Sequence, residues 1–297
     1  DSSSPSLTSQ PLARSSTDII YHITSLRENI GDTQNPLMRD LAFAPGERPI
    51  VAQLFGSNPE TMEYAAKLCA QLGFDGIDIN MGCPDKSIEK QGAGAAMIKN
   101  PETAKAIYRA AALAGLPVSI KTRIGYNTEV MDEWLPALLE EQPAALTVHL
   151  RTRKEMSKVP AHWELMSRAV ALRDRFSPST LILGNGDVTT LADAKIKAEA
   201  AGADGIMLGR AIFGNPWLFT DRLLTDISPL EKLVALEQLA QYFSELTPQK
   251  HFHVLKKHFK AFVTGWPGSA ELRARLMNTN DYDALYGELR SAKELVG

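Results

Sequence analysis

The sequence predicts an α/β fold of the (β/α)8 TIM-barrel type, followed by a small all-helical C-terminal domain. Three observations predict it. Short β-branched apolar runs alternate with longer amphipathic patterns at intervals of ~25–35 residues, the rhythm of βαβ units on a parallel sheet. Polar residues and glycines close nearly every run, as expected where strands share one functional face. After residue 219 the runs stop, and residues 229–297 hold helical patterns alone. An open doubly wound sheet is the alternative arrangement of the same repeat.

Residues 1–17, DSSSPSLTSQPLARSST, are Ser-rich and without periodicity, the composition of a disordered tail. A transit peptide is the weaker reading, because Arg14 alone supplies positive charge there. The barrel is placed over residues 18–227. Its apolar runs are DIIYHI from Asp18, PIVAQLF from Pro49, GIDINMG from Gly76 and PVSIKTRI from Pro117. ALTVHLR from Ala145, TLILGNGD from Thr180 and GIMLGR from Gly205 complete them. A closed barrel needs one strand more. The first strand is therefore expected to be absent or atypical, with the Ser-rich tail in its place.

Between the runs, PETMEYAAKLCAQLG repeats apolar residues three and four apart and ends on Gly73, the pattern of an amphipathic helix with a glycine cap. Asn100-Pro101-Glu102 opens another helix, with proline in the first turn. A turn at Ser228-Pro229 begins the helical domain, placed at residues 228–297. Its patterns are PLEKLVALEQLAQYFSEL, HFHVLKKHFKAFVTGW, SAELRARLMN and DYDALYGELRSAKEL.

Composition bounds the function. With 44% apolar residues in 297 the chain can build a sizeable core, and a net charge of −3 is unlike a dedicated nucleic-acid binder. Any RNA contact must come from local basic patches. Two cysteines make no disulfide framework and point to a reducing compartment. No run approaches ~18 apolar residues, so no membrane helix is expected. The expected location is the cytoplasm, with nucleus or mitochondrion as open alternatives. A monomer without a metal is expected.

The residues that can carry chemistry stand at the strand ends. GIDINMGCP closes its run with Asn80, Gly82 and Cys83, and the glycine-rich KQGAGAAM follows. A lone loop cysteine is more often inert than catalytic, but such glycines admit a ligand close to the backbone and strengthen the case for a chemical role of Cys83. Cys69, mid-helix among apolar residues, reads as core. Lys121 ends PVSIKTRI, where a buried strand does not ordinarily place an ammonium. An ion-paired or snorkelling lysine is the alternative. GNGD, with Asn185, Gly186 and Asp187, and GR, with Gly209 and Arg210, follow the last two runs. Backbone N–H groups at this place in a barrel bind phosphate, and Arg210 can add a charge-assisted contact. Glycines that only shape turns are the alternative. Lys256, Lys257 and Lys260 in HFHVLKKHFK, with Arg273 and Arg275 after them, can line one helical face for phosphate contacts, against the alternative of an ordinary solvated face. Arg151, Arg153, Lys154 and Lys158 form a second basic loop beside His149.

QLFGSNPETMEYAAKLCAQLGFDGIDINMGCPDKSIEKQGAGAAMIKNP resembles the signature region of the tRNA-dihydrouridine synthases. The resemblance continues through KTRIG at Lys121, HLRTR at His149, GNGDV at Gly184 and GADGIMLGRAIFGNPWLF at Gly202. KKHFKAFVTGWPGSAELRARLMNT then resembles the family's RNA-binding domain, so that residues 45 to 280 are covered. Any one motif is weak. Their order makes the signal specific.

The resemblance implies an FMN enzyme that reduces the C5–C6 bond of a uridine in tRNA, with NADPH as electron donor. Hydride goes from reduced FMN to C6, and Cys83 is implied as the acid that protonates C5. Gln53, Lys121 and His149 are implied as cofactor contacts, Lys121 against the flavin N1–C2 edge, where a cation stabilises the reduced ring. Asn185, Gly186, Asp187, Gly209 and Arg210 complete the expected cofactor set. Asn80, Lys86, Arg151, Arg153, Lys256, Lys257, Lys260, Arg273 and Arg275 are the expected substrate and RNA contacts, to a base that must leave its stack.

The chain departs from the family pattern twice. The strand and Pro-Met loop with which members normally begin are not found in residues 1–17. Leu150 stands where glycine is usual and is expected to crowd the site. Two other functions fit the same motifs: a catalytically weakened RNA-binding homologue, and an FMN barrel acting on a free small molecule. The RNA-binding-like tail argues against the second.

Overall fold

The computed structural model of the chain describes Met38 and residues 41–220, 222–246 and 250–296. The run at Asp18 and the question of a first strand lie outside the described residues. Two compact units are formed, one of Phe43–Val159 with Ala171–Leu181, the other of Pro160–Val170 with Ile182–Gly297.

The first unit carries four parallel strands in chain order, β1 (Val51–Leu54), β2 (Gly76–Asn80), β3 (Val118–Gly125) and β4 (Ala145–Thr152). Helices α1 (Pro59–Gln71), α2 (Lys86–Glu89), α3 (Pro101–Ala112) and α4 (Met131–Leu139) lie between them in the chain. Their starts are written locally. The Asn58 side chain accepts the amides of Glu60 and Thr61 at 2.9 and 3.2 Å, with Pro59 in the first turn of α1. Asn100 and Pro101 do the same for α3, and Gly73 takes φ +86° just past α1.

Register divides this sheet into two chemically different faces. Partners across parallel strands share a face, and successive residues alternate. Ala52, Ile77, Ile79, Ile120, Ile124, Leu146 and Val148 fall on one face and are buried. Fully burying such a side chain contributes roughly 1.5–3 kcal/mol, so this face accounts for much of the unit's stability. On the other face Gln53 pairs with Asp78 and Asp78 with Ser119, then Asn80 with Lys121, Lys121 with Thr147 and Arg123 with His149. The core lies on one side and the polar groups on the other.

In the second unit β5 (Leu181–Asn185) pairs in parallel with β6 (Gly205–Met207), Asn185 opposite Met207. Helix α5 (Met166–Phe176), whose residues to Val170 belong to the second unit and from Ala171 to the first, precedes β5 in the chain. Helix α6 (Leu191–Ala201) joins the two strands and stops at Gly202 with φ +69°. Helices α7 (Pro229–Ser244), α8 (Lys256–Phe262), α9 (Ser269–Asn278) and α10 (Tyr282–Val296) then enclose Leu233, Leu236, Phe259, Phe262, Leu272, Leu276, Leu285 and Leu289. These helices pack directly on the segment after β6. A Cβ added at Gly214 would lie 2.3 Å from the Ala261 carbonyl oxygen, so only glycine fits there.

The α/β class with parallel strands and a helical C-terminal segment is the one that the sequence predicts. Among the described residues no helix is long and apolar enough to cross a membrane, and no group of three His, Cys, Asp or Glu could hold a metal.

Candidate active site

The polar face of the first unit is knit together by its own side chains. Gln53 Nε2 donates to Asp78 Oδ2 at 2.7 Å, and Ser119 Oγ donates to Asp78 Oδ1 at 2.7 Å. Asn80 Nδ2 donates to Gln53 Oε1 at 3.0 Å. Three strands thus fix one another's polar groups through Asp78, which the sequence reading passed over. Its signal was present, because a carboxylate inside the apolar run GIDIN needs partners if it is to be buried.

Asn80 also shapes the loop that carries the thiol. Its Oδ1 accepts the amides of Gly82 and Cys83 at 3.1 and 3.0 Å, which turns the chain at the end of β2 and leaves Cys83 half-buried. The Cys83 carbonyl accepts the Ala95 amide at 2.9 Å. Gly94 sits at φ +60°, and a Cβ there would lie 2.7 Å from the Cys83 carbonyl oxygen. The glycines after Cys83 therefore let the chain fold back onto it. Lys86, at the start of α2, is exposed. Cys69 is buried, and burial pushes its thiol up to about 11.

Lys121 stands beside Asn80 in the register, half-buried. Burial, and then the nearby Arg123 charge, hold its ammonium below the usual lysine range, with Asp78 and Cys83 opposing. Among the described residues it makes no hydrogen bond or ion pair. A half-buried cation that makes no hydrogen bond or ion pair among the described residues is costly in isolation and suited to an electron-rich ligand group. His149 is half-buried on the same face. Arg151 Nη1 lies 3.2 Å from its Nε2. A guanidinium can only donate, so Nε2 accepts, and the neutral ring carries its proton on Nδ1.

Arg151 and Arg153 differ from a simple basic loop. Arg151 is 2% exposed, and its Nε donates to the Val159 carbonyl at 2.6 Å. Arg153 forms a two-pronged pair with Glu89 of α2 and lies over the Tyr126 ring at 5.4 Å. Lys154 and Lys158 are exposed. Leu150 does not crowd this face. It is 0% exposed, buried like Val148 and Leu146, at the point where the ladder shifts register between the pairs Arg123–His149 and Gly125–Thr152.

In the second unit the glycine turns are used partly by the protein itself. A Cβ at Gly184 would meet the Trp163 ring at 2.6 Å, and Trp163 Nε1 donates to the Gly186 carbonyl at 2.9 Å. Asn185 Nδ2 donates to the Met207 carbonyl at 2.7 Å, pinning β5 to β6. Asp187, at φ +53°, accepts the Ala161 amide at 2.9 Å and the Arg210 guanidinium at 3.4 Å. Gly209 is exposed, with no described residue within 4 Å of where a Cβ would be, and Arg210 is exposed beside it.

The basic residues of the helices divide. Lys257 and Lys260 are exposed, one helical turn apart on α8. Lys256 is 8% exposed, and its Nζ donates to the Met277 carbonyl at 2.8 Å near the end of α9. Arg273 Nη1 donates to the Val263 carbonyl at 2.8 Å, and Arg275 pairs with Glu288 at 2.9 Å on the surface. The face that the sequence made of five residues is narrower, because Lys256 is turned inward.

Comparison with known proteins adds an independent finding. The family model described as "Dihydrouridine synthase (Dus)" matches residues 16–295. A Staphylococcus epidermidis protein named "Probable tRNA-dihydrouridine synthase" is 43% identical over 242 residues, covering 80% of this chain and 74% of the relative. A Staphylococcus aureus protein of the same name is 41% identical over 247 residues, with the same coverage. "Probable tRNA-dihydrouridine synthase 2" of Bacillus subtilis is 40% identical over 255 residues, covering 85% of this chain and 78% of its own.

Proposed function

The chain belongs to the dihydrouridine synthase family, and from that premise we propose that it is an FMN-dependent oxidoreductase that reduces the C5–C6 bond of a uridine in tRNA. The observation that carries the reading is the polar face that places Gln53, Asn80, Lys121 and His149 on one side of a parallel sheet, with Cys83 in the loop after Asn80. NADPH is the proposed electron donor.

The residues fit a flavin. Lys121 offers a half-buried ammonium with no hydrogen bond among the described residues, and Gln53 and Asn80 offer amides on the same face. We assign Lys121 to the electron-rich N1–C2 edge of the ring, with Gln53 and His149 as further ring contacts. Asn185, Gly186, Asp187, Gly209 and Arg210 are assigned to the phosphate, Gly209 being the turn with no described residue within 4 Å of where a Cβ would be. Bound FMN supplies the hydride that reaches C6 of the uracil.

Cys83 completes the addition. Its Sγ–H bond breaks as the proton moves to C5, and the thiolate left behind lies within the field of Lys121. His149, its Nε2 engaged by Arg151, is proposed to face the base or the cofactor. Asn80 is proposed to meet the base. The exposed Lys86, Lys257, Lys260 and Arg275 are proposed to meet phosphates, while Arg151, Arg153, Lys256 and Arg273 hold the surfaces that do so. Residues 18–227 are the proposed barrel and 228–297 the proposed RNA-binding domain, in a cytoplasmic monomer.

The test is direct. Purified protein should carry a visible flavin spectrum and, with NADPH, form dihydrouridine in an unmodified tRNA transcript. A flavoprotein that oxidises NADPH yet leaves the transcript unchanged would refute the substrate; a colourless protein that binds tRNA would refute the enzyme.

A further inference from the structure

We propose that Arg123 is a positioning residue that fixes the Cys83 loop by tying it to the segment after β4. This rests on the function proposed above for the role of Cys83, though the contacts do not depend on it. The arginine belongs to none of the roles already assigned. It occupies the polar face of β3, one alternation beyond Lys121 and opposite His149. It is 6% exposed.

All of its placed donors go to main-chain carbonyls. Nε donates to Gly82 at 2.7 Å, and Nη1 donates to Thr152 at 3.1 Å and to Met156 at 2.9 Å. Gly82 immediately precedes Cys83. Thr152 and Met156 bracket the turn that holds Arg153 and Lys154. One planar fork thus joins the thiol loop to the basic loop, which no single-point donor could do.

The arrangement is costly, and the cost argues for a use. Burial and the neighbouring Arg151 charge push the Arg123 guanidinium down to about 10, with only Cys83 and Glu155 opposing. Met156 is held at φ +55°, a left-handed conformation that a long side chain rarely adopts, and its carbonyl is one of the three acceptors. Gly82 leaves little room to shift. A Cβ there would stand 3.2 Å from the Thr122 carbonyl carbon and 3.4 Å from Arg123 Cγ. A hydrophobic residue of similar length could fill the same space without these penalties. What it could not do is hold Gly82 against the β4 loop.

Two variants test the role. Arg123→Lys keeps the charge and loses the fork. Gly82→Ala keeps Arg123 whole and pushes the thiol loop off it. Each is loaded with FMN and followed for three readouts: NADPH-driven flavin reduction, dihydrouridine formation in tRNA, and the rate at which iodoacetamide alkylates the protein. Buried Cys69 leaves Cys83 as the thiol that alkylation reads. We expect flavin content and flavin reduction within about twofold of the parent. Dihydrouridine formation should fall at least tenfold in kcat, with little change in the KM for tRNA, and the alkylation rate should change severalfold.

Parental alkylation and turnover in either folded variant would overturn the proposal. So would an equal loss of flavin reduction and turnover, which marks a general structural role. If Arg123→Lys does not fold, Gly82→Ala decides by the same criteria. A parent chain that forms no dihydrouridine would refute the proposed reaction, and the alkylation rates would still judge Arg123.

Discussion

At the scale of single residues, position on the sheet decides what each side chain can do. Cys83 stands past the end of β2 with its amide held by Asn80, a place from which a thiol can reach a bound base. Cys83→Ala should retain flavin absorbance at the parental ratio and lower dihydrouridine formation by about 10²–10⁴-fold, the usual contribution of a positioned acid. Lys121 carries the opposite trade. Its folded-state pKa is depressed, so the unfolded chain binds more protons in the window from that lowered value up to 10.5, and stability rises with pH across it. Lys121→Met should therefore raise the melting temperature of the flavin-free protein at neutral pH, flatten that alkaline rise, and weaken flavin retention. Calorimetry and flavin occupancy after gel filtration check both halves. Leu150 shows where reading residues by name misleads. Its motif neighbours suggest a crowded site, yet the side chain is fully buried, like Val148 and Leu146. Leu150→Ala should cost about 2–5 kcal/mol in denaturant unfolding and bring no gain in flavin retention.

At the scale of elements, the parts legible in the sequence were those specified by near neighbours. Asn58-Pro59, Asn100-Pro101 and Ser228-Pro229 start α1, α3 and α7 as their cap chemistry requires. Helix α7 has a full capping box, with Ser228 Oγ accepting the Glu231 amide at 3.2 Å and Glu231 accepting the Ser228 amide at 3.0 Å. Arg222 adds an ion pair at 2.7 Å and, with the Ser228 bonds, lowers the Glu231 carboxyl to about 2. Its stabilising effect is present above 4.5 and is lost as pH falls toward about 2. Glu231→Gln should remove that part of the acid-side loss, seen as a shallower fall of melting temperature over this window. What the sequence could not show was contact between distant elements. The Lys256 ammonium meets the Met277 carbonyl only because α8 packs on α9, and Trp163 fills the space at Gly184 only through the fold. Periodicity marks a face and is blind to what that face meets.

At the scale of the whole molecule, the repeat of strand and helix was visible because buried parallel strands must be apolar and short. The polar face was partly visible, because polar groups in apolar runs need a reason. Asn80 and Gln53 stand near the ends of their strands, and Lys121, which the sequence reading put at a strand end, lies in the middle of β3. Asp78 and Arg123 were missed. Both are satisfied by partners far away in the chain, and nothing local announces them. The function follows from that face and from the family. The most direct test mixes the flavin-reduced protein anaerobically with unmodified tRNA and follows the return of the flavin's visible absorbance alongside dihydrouridine content. The account predicts that one dihydrouridine forms for each flavin reoxidised, and that tRNA already carrying the modification leaves the flavin reduced. Reoxidation without dihydrouridine, or reduced flavin left unchanged by unmodified tRNA, would contradict it.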